Sequence, residues 1–188
     1  MMTCKEALVS IAACVAGLLI VASANSAADG VAPPNSHQLR IGKNVFKASC
    51  GGCHKWHGGG GGGYGGAALS LRQTQLDRAM IIETVSCGRP GTGMPSHKRD
   101  AYKDGACYGL TKEAAGNTLP PVANDFLSPS EIEAVADYVI ANVKGKGDPT
   151  LEECEAFWGQ SSAVCNELKK ASADEQHSEI NPAMERVP

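Results

Sequence analysis

The 188 residues are enough for one domain with an extension, and 43% hydrophobic content can build a packed core. A formal charge of −3 excludes the strongly basic balance of a nucleic-acid binder. Aromatic residues make up only 5%, so a cofactor that adds apolar bulk would suit a small helical domain.

In chain order, the first feature is an apolar run from Ala7 to Ala24, with Lys5 before it and Glu6 offsetting that charge. Small residues follow, with A-x-A-like sites after Ala24 and Ala27, so residues 1–27 are expected to be a cleaved export signal. A retained membrane anchor is the alternative, since the run nearly reaches spanning length. The stretch Ile11–Cys14 has the form of a lipoprotein box, but the apolar run continues past Cys14 instead of ending there. Residues 28–35 read as a linker. Export to the periplasm of a Gram-negative bacterium would leave six cysteines in an oxidising compartment: Cys50, Cys53, Cys87, Cys107, Cys154 and Cys165.

Next comes "SHQLRIGKNVFKASCGGCH", a helical pattern that runs into Cys50-Gly51-Gly52-Cys53-His54. C-x-x-C-H is the attachment signature of c-type haem. Two cysteines at this spacing reach the two vinyl groups on one porphyrin edge, and the histidine that follows turns its imidazole to the iron. A zinc site would need a second ligand pair, which the sequence lacks. A thioredoxin-like pair would need a strand–helix junction, whereas a helix precedes this one. The glycine run after His57 matches G-x-G-x-x-G, but no strand precedes it and no G-K-S/T follows. That run is expected to be a mobile surface insertion, with Trp56 and His57 covering the cofactor and Tyr64 anchoring the loop.

A second helix is expected from Thr74 as N-cap, with Asp77 at N3, to Gly88, and Met80 is expected in its core-facing set. "GRPGTGMPSH" follows, with Met94 held between Gly93 and Pro95. A thioether there is the expected sixth iron ligand, one that favours ferrous iron. His97 could replace it only after a loop shift, and His57 lies too close to His54 to reach the opposite face. An insert of thirty-three residues then separates Met94 from Ser128. The last core helix starts with Ser128, Pro129 and Glu131, a capping box with proline at N1, and repeats Ile132, Val135, Ala136, Val139 and Ile140 at helical spacing. Thr150 and Glu153 offer another capping box in a cysteine-bearing extension, residues 148–170. The polar residues 171–188 are expected to be disordered. Cys87, Cys107, Cys154 and Cys165 allow three pairings, which sequence leaves open; the nearest-neighbour set, Cys87–Cys107 and Cys154–Cys165, is the expected one.

With its single C-x-x-C-H and later Met-Pro loop, the chain resembles the class I c-type cytochromes from about Ser36 to Gly147. The resemblance implies an all-α domain, residues 36–147, around one covalent haem c bound through Cys50 and Cys53, with His54 and Met94 as axial ligands. It also implies that Gly42, four before Phe46, lets the first helix cross the last closely, and that Tyr138 is the aromatic of that last helix. The stretch "CGRPGTGMPSH…CYG…PP" is similar to a narrower group, periplasmic cytochromes that accept electrons from quinoprotein (PQQ-dependent) methanol or other alcohol dehydrogenases. The implied function is electron transfer from a dehydrogenase to another cytochrome or a terminal oxidase, with no nucleic acid and no membrane after signal removal. A fixed haem subunit of an oxidoreductase complex and a haem-based ligand sensor stay open at this point. Basic Arg89, Lys98, Arg99 and Lys103 near Met94, interspersed with Asp100 and Asp104, suggest a docking face, with Arg89 alternatively free to pair with a haem propionate; Glu152, Glu153 and Glu155 make the extension acidic.

Overall fold

The computed structural model describes residues 33–63 and 66–180. The expected signal, residues 28–32 of the expected linker, Tyr64 and residues 181–188 lie outside the described residues. Among the described residues no helix is long and apolar enough to cross a membrane.

Helix α1, Ser36–Val45, runs without a break through a π-helical turn, Phe46–Cys50, into the short α2, Gly51–His54. Asn35 caps its start by accepting from the Gln38 N–H at 2.9 Å. A two-stranded antiparallel hairpin follows, β1 (Gly61–Gly63) with β2 (Gly66–Ala68), Gly61 opposite Ala68. Then come α3 (Arg78–Cys87), α4 (Lys112–Ala115), α5 (Pro129–Asn142), α6 (Leu151–Trp158) and α7 (Asn166–Ile180). The fold is all-α, with this one small hairpin.

The core lies where α1, α3 and α5 meet. Phe46, Ile81, Val85, Ile132, Val135, Val139 and Val143 are buried there, and Phe157 of α6 joins them. Gly42 sits at the α1–α5 crossing: a Cβ on it would lie 2.0 Å from the Ala134 carbonyl oxygen and 2.7 Å from Tyr138 Cβ. No side chain fits between the two backbones, so glycine fixes the crossing. Tyr138 packs on Phe46 with ring centroids 5.5 Å apart. On the other side of α5, Arg78 of α3 forks onto the nearly buried Asp137 at 2.5 and 3.2 Å.

Both capping boxes form, Ser128 with Glu131 and Thr150 with Glu153. Four expectations need correction. Helix α3 begins at Arg78, because Asp77 rather than Thr74 is the cap, its carboxylate accepting from the Met80 N–H at 2.8 Å. Met80 is 49% exposed, since Ile81 and Val85 occupy the inward positions of that register. Gly61–Gly63 of the glycine run are paired backbone, in β1, rather than part of a loose insertion. Gly58 and Gly60 have φ of 75° and 71°, and Cβ atoms there would meet Val143 and the Ala68 carbonyl at 2.3 Å. Finally, residues 171–180 are helical, within α7. Polar composition rules out a core but not an exposed helix of good helix formers, and Lys169 ties α7 back to the Gln160 carbonyl at 2.6 Å and to Glu155 of α6 at 3.5 Å.

The spare cysteines pair as Cys87–Cys107 and Cys154–Cys165, with Cα atoms 5.5 and 5.8 Å apart. All four are buried. Around the first bridge Ala101, Tyr102 and Ala115 form a second small core, so the insert has an interior of its own. The extension, by contrast, borrows its core from the main domain: Phe157 lies edge-on to Phe46 at 6.3 Å and tilted against Trp56 at 6.0 Å.

Candidate haem site

The C-x-x-C-H segment is the end of one long helical element. A π turn inserts an extra residue into the helical ladder, and such turns recur at functional sites. Here it separates fully buried Phe46 from half-buried Cys50. Helix α2 ends at Lys55, which adopts φ 66° and turns the chain away after His54.

The His54 Nδ1 lies 3.1 Å from the Leu69 carbonyl oxygen, at the end of the hairpin. A carbonyl can only accept, so Nδ1 carries the proton and Nε2 keeps its lone pair. Burial lowers the imidazole pKa, against the raising effect of this hydrogen bond. Desolvation, reinforced by neighbouring Cys53, pushes the Cys50 thiol up to about 12, so it stays uncharged. Cys50 and Cys53 are not bridged to each other.

Met94, forty residues after His54 along the chain, lines the same space. Gly88 ends α3 with φ 68°, and a Cβ there would lie 2.7 Å from the Met94 carbonyl oxygen. The Arg89 N–H donates to that carbonyl at 3.2 Å. The loop is then fastened on both flanks. His97 and Lys98 N–H groups donate to the Val85 and Ser86 carbonyls at 3.1 and 3.0 Å. On the insert side, Gly91 donates to Thr118 at 2.7 Å and Ser96 to Pro121 at 2.9 Å, and Ala123 donates back to Ser96 at 2.9 Å. The insert therefore buttresses the methionine loop, and Tyr108 adds a hydroxyl donated to the Gly88 carbonyl at 2.8 Å.

Two adjoining cavities of about 390 and 420 Å³ share Cys50, His54, Leu69, Arg89 and Met94 in their walls. The inner one is also lined by Phe46, Leu71, Leu76, Ile81, Val85, Val135 and Val139, with Gln73, Thr74, Gln75 and Thr84 as polar members; the outer one adds Cys53 and Pro95. No carboxylate lines either. Among the described residues no three His, Cys, Asp or Glu side chains converge on a common point, as a bare metal ion would need. The donor set fits a planar apolar cofactor with an iron centre: an apolar slot, two thiols near its edge, an imidazole with its Nε2 free, and a thioether.

All four expected site residues thus meet at one place. Trp56 and His57 do not; they face a separate cavity of about 180 Å³ against α6. His97 does line the outer cavity, 6% exposed, its Nδ1 3.3 Å from the Asp125 carbonyl. Two neighbours of the site carry no signal in the sequence. The Leu69 carbonyl is backbone and carries no residue-type signal. Arg72, 7% exposed, looks in sequence like any surface arginine.

The helical frame and this slot suit a haem protein of the electron-carrier class. The family model described as Cytochrome c matches residues 39–143, more than half of the chain, and the chain belongs to that family. Membership brings covalently attached haem c, whose iron cycles between ferrous and ferric states and so carries one electron. No curated protein and no solved structure matches the chain.

Proposed function

We propose that Cys50 and Cys53 form the two thioether links to haem c, that His54 Nε2 and Met94 sulfur are the axial ligands, and that the protein shuttles single electrons between redox proteins of the periplasm. The observation that carries this reading is the convergence of the four side chains on one apolar slot, with His54 held as the Nδ1–H tautomer by Leu69. The thioethers fix the porphyrin edge. The Leu69 carbonyl aims the imidazole, and the doubly fastened loop holds the sulfur in place. Apolar walls exclude water, which favours the less charged ferrous centre, and the soft sulfur does the same.

The donor we propose is a dehydrogenase, of the quinoprotein alcohol or methanol type, and the acceptor another cytochrome or a terminal oxidase. The resemblance around Cys87–His97 supports the donor class. The protein acts as a carrier rather than an enzyme, and without a membrane attachment once its signal is removed. Replacing Cys50 and Cys53 together with alanine should leave no haem on the denatured chain, read by in-gel haem staining and mass. Met94→Ala should open the sixth position and lower the reduction potential. Haem retained on the denatured double variant, or an unchanged ferric spectrum and potential in Met94→Ala, would overturn the assignment.

A further inference from the structure

Arg72 touches neither of the haem-site cavities, yet its guanidinium is the most heavily bonded side chain near them. Nε donates to the Gly147 carbonyl at 2.5 Å and Nη1 to the His57 carbonyl at 2.9 Å. Nη2 donates to the Asp148 carbonyl at 3.2 Å and to Glu153 Oε2 at 2.8 Å. Burying a cation this far is costly unless its hydrogens are met, and these partners come from three separate places in the chain.

Its neighbours explain what is being held. Residues 69–72 form a strap under the His54 side of the slot. Leu69 accepts from His54 Nδ1, the Leu71 N–H donates to the Gly58 carbonyl at 2.7 Å, and the Arg72 carbonyl accepts from the Gly145 N–H at 2.8 Å. We infer that Arg72 is a positioning residue for the iron's histidine: it fastens this strap to the end of α5 and the start of α6, and so keeps the Leu69 carbonyl on the imidazole. The C-terminal extension thereby becomes part of the support of the iron, through Glu153. A carbonyl on Nδ1–H makes the imidazole a richer donor and stabilises ferric iron. Slack in the strap weakens that bond and shifts the balance toward ferrous iron. The inference rests on His54 as axial ligand.

The test uses the full-length haem-loaded protein carrying Arg72→Lys, which keeps the charge but not the fork. Exchange of the His54 Nδ1 proton, followed by NMR in the ferrous state, should quicken roughly tenfold, in the range that outer-shell partners command. The one-electron equilibrium against a redox standard should shift about threefold toward ferrous iron, with the methionine–iron absorption band intact. Arg78→Lys loosens the pairing to Asp137 without touching the strap, and should leave both readings unchanged. Glu153→Gln should move both in the same direction as Arg72→Lys, by less, and stands in if Arg72→Lys does not fold. Wild-type exchange and potential in a folded Arg72→Lys, or in Glu153→Gln where it must stand in, would overturn the inference. Loss of the His54–iron bond in the wild type itself would instead overturn the ligand assignment beneath it.

Discussion

At Gly42 a single missing methyl group decides how two helices meet. With the Ala134 carbonyl 2.0 Å from the position a Cβ would take, Gly42→Ala must push α1 off α5 or bend one of them. Overpacking of a tight core site costs about 1–3 kcal/mol, and a clash with backbone belongs at the upper end. Thermal unfolding of the haem-loaded variant should show that loss as a lower Tm; an unchanged Tm would mean the crossing is looser than the geometry requires. The neighbouring Phe46, fully buried against Tyr138 and Phe157, makes the same crossing the floor of the inner cavity. A shift there should therefore also disturb the haem spectrum.

At the scale of elements, the insert and the extension solve different problems. The insert encloses its own disulfide and small core, and it grips the methionine loop through backbone hydrogen bonds. Replacing Cys87 and Cys107 with serine removes a bridge that closes a twenty-residue separation, which should cost about 2–4 kcal/mol. The same change should weaken the methionine–iron band before the helical signal is lost on heating, because the loop's partners at Thr118 and Pro121 belong to that insert. Simultaneous loss of both signals would show that the loop stands without it. The capped helices were readable in advance because each is set by local chemistry: Ser128 with Glu131, Thr150 with Glu153, and apolar residues one turn apart. The proposed ligands are legible because C-x-x-C-H and a methionine held between glycine and proline are each short, local signals. Other features were not. The strap at Leu69–Arg72 is held by carbonyls and by a side chain three of whose four partners lie more than seventy residues away. The order in the glycine run depends on Val143 and Ala68, which no local pattern links to it. The start of α3 was misplaced because Thr74 and Asp77 are both good caps, and only packing chooses between them.

For the whole molecule, function turns on meeting a partner. Arg89 lies at the rim of both haem-site cavities, and Lys98, Arg99 and Lys103 are exposed on the insert beside the methionine loop, with Arg99 stacked 4.4 Å over Phe126. Acidic residues are interspersed among them, so attraction acts only at short range. The second-order rate of reduction by an acidic donor should fall as salt rises through 0.1 M, where screening reaches only about 10 Å. Lys98→Glu combined with Arg99→Glu should lower it further at low salt. A rate indifferent to both, measured by stopped flow, would place docking on another face.

The crossing of α1 and α5 also sets how the molecule can come into being. Its two helices stand near opposite ends of the domain, so this central contact is a long-range one, and the chain between must be gathered before it forms. Until α5 arrives, the slot has no back wall, since Val135 and Val139 are both carried on that helix. A piece that stops short of α5 lacks that wall of the slot. The thiols of Cys50 and Cys53 are synthesised well before the residues that enclose them, which makes their exposure an early, passing stage in the life of the chain.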